Sequence, residues 1–228
     1  MEQTSDFWEV VRDQVIGRRA VIPTPFGARE LTYADFTASG RGVGFLERYI
    51  DSILELYGNT HTEDDATGRI TTERLHAAEA TIKRLLGATN EYKVIEVGSG
   101  TTGAVHRLQQ ILGIYLPPAA KDTFAGQLHE LLGAGEANAL AEELARRRPV
   151  VFVGPYEHHS NEVSWRECWA DVVEIDLSPE GLIDLDDLNR KLRDTRYEGR
   201  RKIGAFSAAS NVSGVKTPVF DIARILHE

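Results

Sequence analysis

Residues Lys93 to Leu112, KVIEVGSGTTGAVHRLQQIL, decide how this chain is read. Val94, Ile95 and Val97 form a β-rich run that reads as a buried strand, and Ala104, Val105, Leu108, Ile111 and Leu112 recur at helical spacing. Between them, Gly98-Ser99-Gly100-Thr101-Thr102-Gly103 hands a strand to a helix N-terminus. The first N–H groups of a helix have no intrahelical partner, and the helix dipole is positive there. An anion is favoured at such a point, and glycines let the backbone approach it closely. The hydroxyls of Thr101 and Thr102 add donors suited to phosphate oxygens. A glycine turn that merely packs helix on strand would look similar.

Working outward, strands are expected at Pro149–Val153, Val172–Ile175 and Lys202–Phe206, and helices at Leu185–Leu192 and Val219–His227. This alternation predicts an α/β fold, a mostly parallel sheet covered by helices on both faces in a three-layer α/β/α arrangement. Ligands of such sheets bind at the carboxyl ends of the strands. The loops there are GSGTTG, GPYEHHSN and SAASNVSG. Residues 114–148 are interrupted by Pro117-Pro118 and then read as two helical segments, Thr123–Leu132 and Glu136–Arg147. On the N-terminal side the spacing of Trp8, Val11 and Val15 predicts a short helix over Phe7–Ile16, a docking arm broken by Pro23, Pro25 and Gly27. A short strand over Leu31–Phe36 and a helix over Val43–Tyr57 follow. After the polar loop Gly58–Gly68 comes a helix over Thr72–Leu86, with Thr71 or Thr72 as N-cap and Gly87 just past its end.

The 228 residues, 42% hydrophobic, suffice for one large domain with a substantial core, or for one domain plus a small appendage. A formal net charge of -9 argues against nucleic acid or an anionic membrane as partner, since both require a concentrated positive face. A helix N-terminus still binds a small phosphorylated molecule locally. The single cysteine, Cys168, excludes an internal disulfide framework and fits a reducing compartment. The first residues lack a basic stretch followed by an apolar core, and no apolar run approaches the ~20 residues that span a bilayer. The expectation is a soluble, cytoplasmic protein.

Gly98, Gly100 and Gly103 also match the dinucleotide fingerprint, which makes a nicotinamide-dependent Rossmann oxidoreductase the competing reading. That fingerprint expects a second strand about 20 residues on. Here the window Ile114–Asp122 holds two prolines and is not strand-like. Glu157, His158 and His159 are all possible zinc ligands, but neighbours in an extended loop point apart and do not share one tetrahedral ion. No metal site is expected. An imidazole at this sheet edge can instead lay its flat face on an aromatic ligand. In SAASNVSG small side chains leave room for a ligand, and Asn211 brings a donor and an acceptor. Cys168, between Trp165 and Trp169, has no base beside it and reads as inert.

These motifs occur in an ordered set: YADFTASG, NTHTEDDATG, VGSGTTGAVHRL, GPYEHHSNEVSWRE, GLIDLDDL and KIGAFSAASNVSGVKTPV. In order and spacing, from about Tyr33 to the last residue, the chain resembles the class V aminotransferases and cysteine desulfurases, pyridoxal-phosphate enzymes of fold type I. The resemblance implies that Gly100, Thr101 and Thr102 hold the phosphate of pyridoxal 5'-phosphate. It further implies that His158 stacks on the pyridine ring, as the catalytic candidate, and that Asn211 lies near the ring's 3-oxygen or the substrate carboxylate. Residues 1–30 are then an N-terminal helical arm and residues 31–228 part of the large domain. An amino-acid substrate and a homodimer are implied for the complete enzyme. In the family, the aspartate facing the ring nitrogen and the Schiff-base lysine come after the segment resembled by the end of this chain, and none of its lysines, Lys202 and Lys216 included, stands at that lysine's position. The expectation is therefore an N-terminal fragment, inactive alone, with a non-catalytic subunit as a further alternative.

Overall fold

In the computed structural model, which describes residues 3–36 and 38–228, the chain divides into two compact units, Met1–Ile95 and Glu96–Glu228. The first begins with α1 (Gln3–Asp13), a helix built on the expected spacing but starting four residues earlier. The stretch read as a helix breaker is a hairpin. β1 (Val21–Thr24) and β2 (Gly27–Glu30) pair antiparallel, Val21 opposite Glu30 and Thr24 opposite Gly27. Thr24 fastens the turn: its hydroxyl donates to the Gly27 carbonyl at 2.7 Å and accepts the Phe26 N–H at 3.2 Å. The strand expected at Leu31–Phe36 is not there; after Leu31 donates to Ala20 at 2.8 Å the ladder ends, and among the described residues no ladder includes 32–36.

The next helix, α2 (Gly44–Leu54), follows the apolar stripe of Phe45, Leu46, Tyr49, Ile50 and Ile53. Helix α3 (Ala66–Leu85) starts six residues before the expected point, because Asp65 and not a threonine is its N-cap: the carboxylate accepts the Gly68 N–H at 2.8 Å. Thr67 and Gly68 hold the Asp65 carboxyl below the ordinary carboxylate value. The two threonines expected as caps do something else. Thr71 Oγ1 accepts the Gly58 N–H at 3.1 Å, and Thr72 Oγ1 accepts the His61 N–H at 3.0 Å, so both hold the preceding loop.

The strand expected over Lys93–Val97 is absent as well. No ladder among the described residues includes it, and Ile95 is 56% exposed. β-branched residues fit a pleated surface, but they make a strand only where a partner offers its edge.

The second unit carries the sheet. Helix α4 (Gly100–Ile111) is the one the apolar spacing predicts. Helix α5 (Pro118–Arg146) starts with Pro118, whose missing N–H is no loss in a first turn, and breaks at Gly133, so the two expected segments are present. Then β3 (Val150–Val153), the four-residue α6 (Val163–Arg166), β4 (Asp171–Glu174), α7 (Leu185–Leu192), β5 (Lys202–Ala205) and α8 (Val219–His227) alternate. The sheet order is β4-β3-β5, all parallel, with Val150 level with Asp171 on one side and Lys202 on the other.

All four residues of β3 are fully buried, and they alternate between two cores. Val150 and Phe152 pack with Ile175, Leu188 of α7 and Ile222 of α8. Val151 and Val153 pack with Ile114, Trp165 of α6 and Cys168, flanked by Val105 of α4. Helices therefore cover both faces, which is the three-layer arrangement expected. Asp184 caps α7 through the N–H groups of Asp186 and Asp187, both at 2.9 Å. Within α7, the buried Asp187 carboxylate receives the Asp176 N–H at 2.8 Å and pairs with Lys191 at 2.7 Å and with Arg190.

Candidate functional site

Two left-handed residues turn the chain into α4: Ser99 at φ 69° and Gly100 at φ 64°. For serine this conformation is uncommon and costs of order 1 kcal/mol, and it persists where the surroundings impose it. Ser99 makes no side-chain cap, so the first-turn N–H groups of α4 are left to other partners. Only glycine fits at position 103. A Cβ there would lie 2.0 Å from the Gly98 carbonyl oxygen, so the turn closes backbone against backbone.

The second loop leaves β3 at Val153. His158 is extended, and its Nδ1 accepts the Ser160 N–H at 3.2 Å and meets the Ser160 hydroxyl at 2.5 Å. With Nδ1 the acceptor, the proton of the neutral ring sits on Nε2. The His159 ring meets that of His158 edge-on, at 79° and 5.9 Å between centroids.

The third loop leaves β5 and folds on itself. Ser210 donates its N–H to Val215 at 2.9 Å, Thr217 donates to Ala208 at 3.0 Å, and the Ser210 hydroxyl accepts the N–H groups of Val212 and Ser213 at 3.2 Å. Asn211 is left exposed at the bend.

The three loops meet at the carboxyl ends of β3 and β5 in a cleft of about 370 Å³, within the ~300–1,000 Å³ range of small-molecule sites. Thr101, Thr102, His158 and Asn211 all line it, together with Tyr156 and Ser207. Gly100 does not line the wall; it forms the left-handed turn just before Thr101. The donor set suits a phosphorylated aromatic ligand: two threonine hydroxyls, an uncapped helix N-terminus, an exposed imidazole and a side-chain amide. Tyr156 also carries a buried hydroxyl with no hydrogen-bond partner among the described residues, and an unmet buried polar group costs about 1–3 kcal/mol. On these observations the residues present fit pyridoxal 5'-phosphate.

Sequence reasoning missed Glu157, weighed only as a metal ligand. Its carboxylate is engaged with Ser207, Gly154 and Asn161, all as donors. An acid beside His158, with an amide four residues on, was the available signal. Among the described residues no three His, Cys, Asp or Glu side chains come together as a metal site. Cys168 is buried, and burial pushes its thiol up from the ordinary value. Among the described residues no helix is long and apolar enough to cross a membrane.

Fold and cleft define an α/β protein with a parallel sheet and a ligand-sized site at its strand ends. Residues 132–228 match the model of the family described as aminotransferase class-V. A probable cysteine desulfurase of Halalkalibacterium halodurans is 24% identical over 202 residues, 86% of this chain and 41% of that protein. The apo structure of a cysteine desulfurase from Thermococcus onnurineus NA1 superposes with a TM-score of 0.65 at 19% identity, over 96% of this chain and 44% of that one, which is a likeness of fold. Residues 132–228 thus resemble the aminotransferase class-V family, and the relative and the fold are consistent with that likeness. The chain spans less than half the length of these relatives.

Proposed function

We propose that residues 31–228 are the phosphate- and ring-binding part of a pyridoxal-phosphate-dependent enzyme that acts on an amino acid by transamination or by cysteine desulfuration. The observation that carries this reading is the single cleft lined by Thr101, Thr102, His158 and Asn211, from three loops far apart in sequence. The helix N-terminus and the two threonine hydroxyls hold the phosphate, with no lysine or arginine in the lining. His158 presents a flat face whose orientation is fixed by Ser160 at Nδ1, leaving the Nε2 proton free to donate. Asn211 offers the same cleft a donor and an acceptor. When bound, the cofactor supplies an electron sink for charge that develops at the substrate's α-carbon.

The proposal extends to the whole protein as a cytoplasmic homodimer, and to residues 1–228 alone as a chain that binds the cofactor without turnover. Titration of the purified chain with pyridoxal 5'-phosphate, followed by tryptophan fluorescence, tests the reading. Saturable binding that inorganic phosphate competes away is expected, with no response to reduced nicotinamide cofactor. Absence of saturable binding overturns it. A borohydride-stabilised lysine adduct together with turnover would overturn the inactivity alone.

A further inference from the structure

Glu157 stands where three loop ends converge, and its role rests on, and goes beyond, the cofactor-binding reading. Its Oε1 accepts the N–H groups of Ser207 at 2.9 Å and Gly154 at 3.3 Å. Its Oε2 accepts the Ser207 N–H at 3.0 Å, the Ser207 hydroxyl at 2.5 Å and the Asn161 amide at 2.8 Å. Every partner is a donor. Gly154 follows β3, Ser207 follows β5 and Asn161 ends the turn that His158 begins, so one carboxylate joins two neighbouring strand ends to the histidine loop.

The partners are themselves fixed. Asn161 also donates to the Ala205 carbonyl at 3.1 Å and accepts the indole N–H of buried Trp165 at 3.1 Å. Its amide cannot reverse without losing the indole. From the other side, the fully buried Gln109 of α4 donates to the Ser164 hydroxyl at 3.0 Å, which donates to the Ser160 carbonyl at 2.9 Å. Ser160 in turn holds His158.

We propose that Glu157 is a positioning residue that sets the spacing across the cleft between the His158 ring and the Ser207–Asn211 loop. An ionised carboxylate is acceptor-only and meets donors at both oxygens. Glutamine keeps the shape but presents an NH₂ group at one end, where donor then faces donor. Gly154 offers an independent route to the same disturbance. A Cβ there would lie 2.7 Å from Glu157 Oε1, an end that is tethered and not free to swing, and no charge would change.

The test compares Glu157→Gln and Gly154→Ala with Asp187→Asn, which weakens a separate network in the same unit. Three quantities are measured on the 228-residue chain: pyridoxal 5'-phosphate affinity by fluorescence, the His158 ring nitrogen resonances without ligand, and the melting temperature. Glu157→Gln and Gly154→Ala should each weaken binding about tenfold or more and move the His158 resonances. Asp187→Asn should lower the melting temperature and leave both other readouts in place. The proposal is overturned if Glu157→Gln changes neither affinity nor resonances, or if Asp187→Asn changes both as strongly. Should Glu157→Gln not fold, Gly154→Ala decides by the same criteria. Should the parent chain not bind the cofactor, the functional reading fails, and the His158 resonances alone decide whether Glu157 positions the ring.

Discussion

Both carboxylate oxygens of Glu157 accept the same backbone N–H, that of Ser207, at 2.9 and 3.0 Å, although the two residues lie 50 positions apart in the chain. The bond closes the space between neighbouring strand ends, and the His158 and Asn211 walls of the cleft depend on it for their separation.

The two threonines at the start of α4 are expected to act through their hydroxyls. Thr101→Val and Thr102→Val, which keep the branched shape, should each weaken pyridoxal 5'-phosphate binding by about ten- to a hundred-and-fiftyfold, the range of one hydrogen bond to a charged acceptor. Melting temperatures should barely move, because both side chains are exposed. Fluorescence titration beside thermal denaturation measures both.

At position 158 the flat face and the ring nitrogen can be separated. His158→Phe keeps a stacking surface, whereas His158→Ala removes it, so the alanine variant should bind the cofactor several-fold more weakly than the phenylalanine variant, as expected for stacking worth about 1 kcal/mol. Equal affinity of the two variants would argue against a stacked ring.

Asp187 should govern the acid limb of stability. Burial by itself would raise its carboxyl, but the Asp176 N–H together with Lys191 and Arg190 holds it below the ordinary value of 3.8. A carboxyl depressed in the folded state contributes stability that is fully present above 3.8 and is lost as pH falls through the folded value. Its partner Lys191, raised above 10.5 by Asp187 and Asp176 despite its own desolvation, contributes below 10.5 and loses that contribution as pH rises through its folded value. Asp187→Asn should cost about 3 kcal/mol at neutral pH and remove this part of the acid dependence. Urea denaturation from pH 2 to 7 reads both effects.

Cys168 should be unreactive in the native chain. Its thiol is buried, and burial raises its pKa, with Glu167 adding to the rise and Lys121 opposing it. A thiol-specific reagent at pH 8 should modify the unfolded chain at least about a hundredfold faster than the folded one, and Cys168→Ala should leave cofactor affinity unchanged.

Where a signal is local and periodic, the sequence already contained the structure. Val219–His227 and Leu185–Leu192 form over the expected residues, and the second-unit strands differ by one residue at their ends. The failures share a cause: each required knowledge of a distant partner. Val94, Ile95 and Val97 have the composition of a strand but no ladder beside them. Pro23 and Pro25 looked like punctuation, yet an isolated two-stranded ribbon tolerates Pro23 because the pairing is an edge on both sides. Thr71 and Thr72 looked like caps, and only the loop at 58–61 shows what their hydroxyls hold.

In the site, Thr101, Thr102, His158 and Asn211 were named from the glycine turn and the resemblance, and the structure brings them to the wall of one cleft. Asn161 and Glu157 were not, since Asn161 reaches Ala205 and Glu157 reaches Ser207, 44 and 50 residues away.

Because β3 lends alternate side chains to both hydrophobic clusters, neither layer can melt by itself: losing the helices on one face strands the side chains of the other. The unit from Glu96 to Glu228 should thus open as a single cooperative block, with the β3 amides the last to exchange with solvent deuterium and their exchange free energy equal to that of global unfolding.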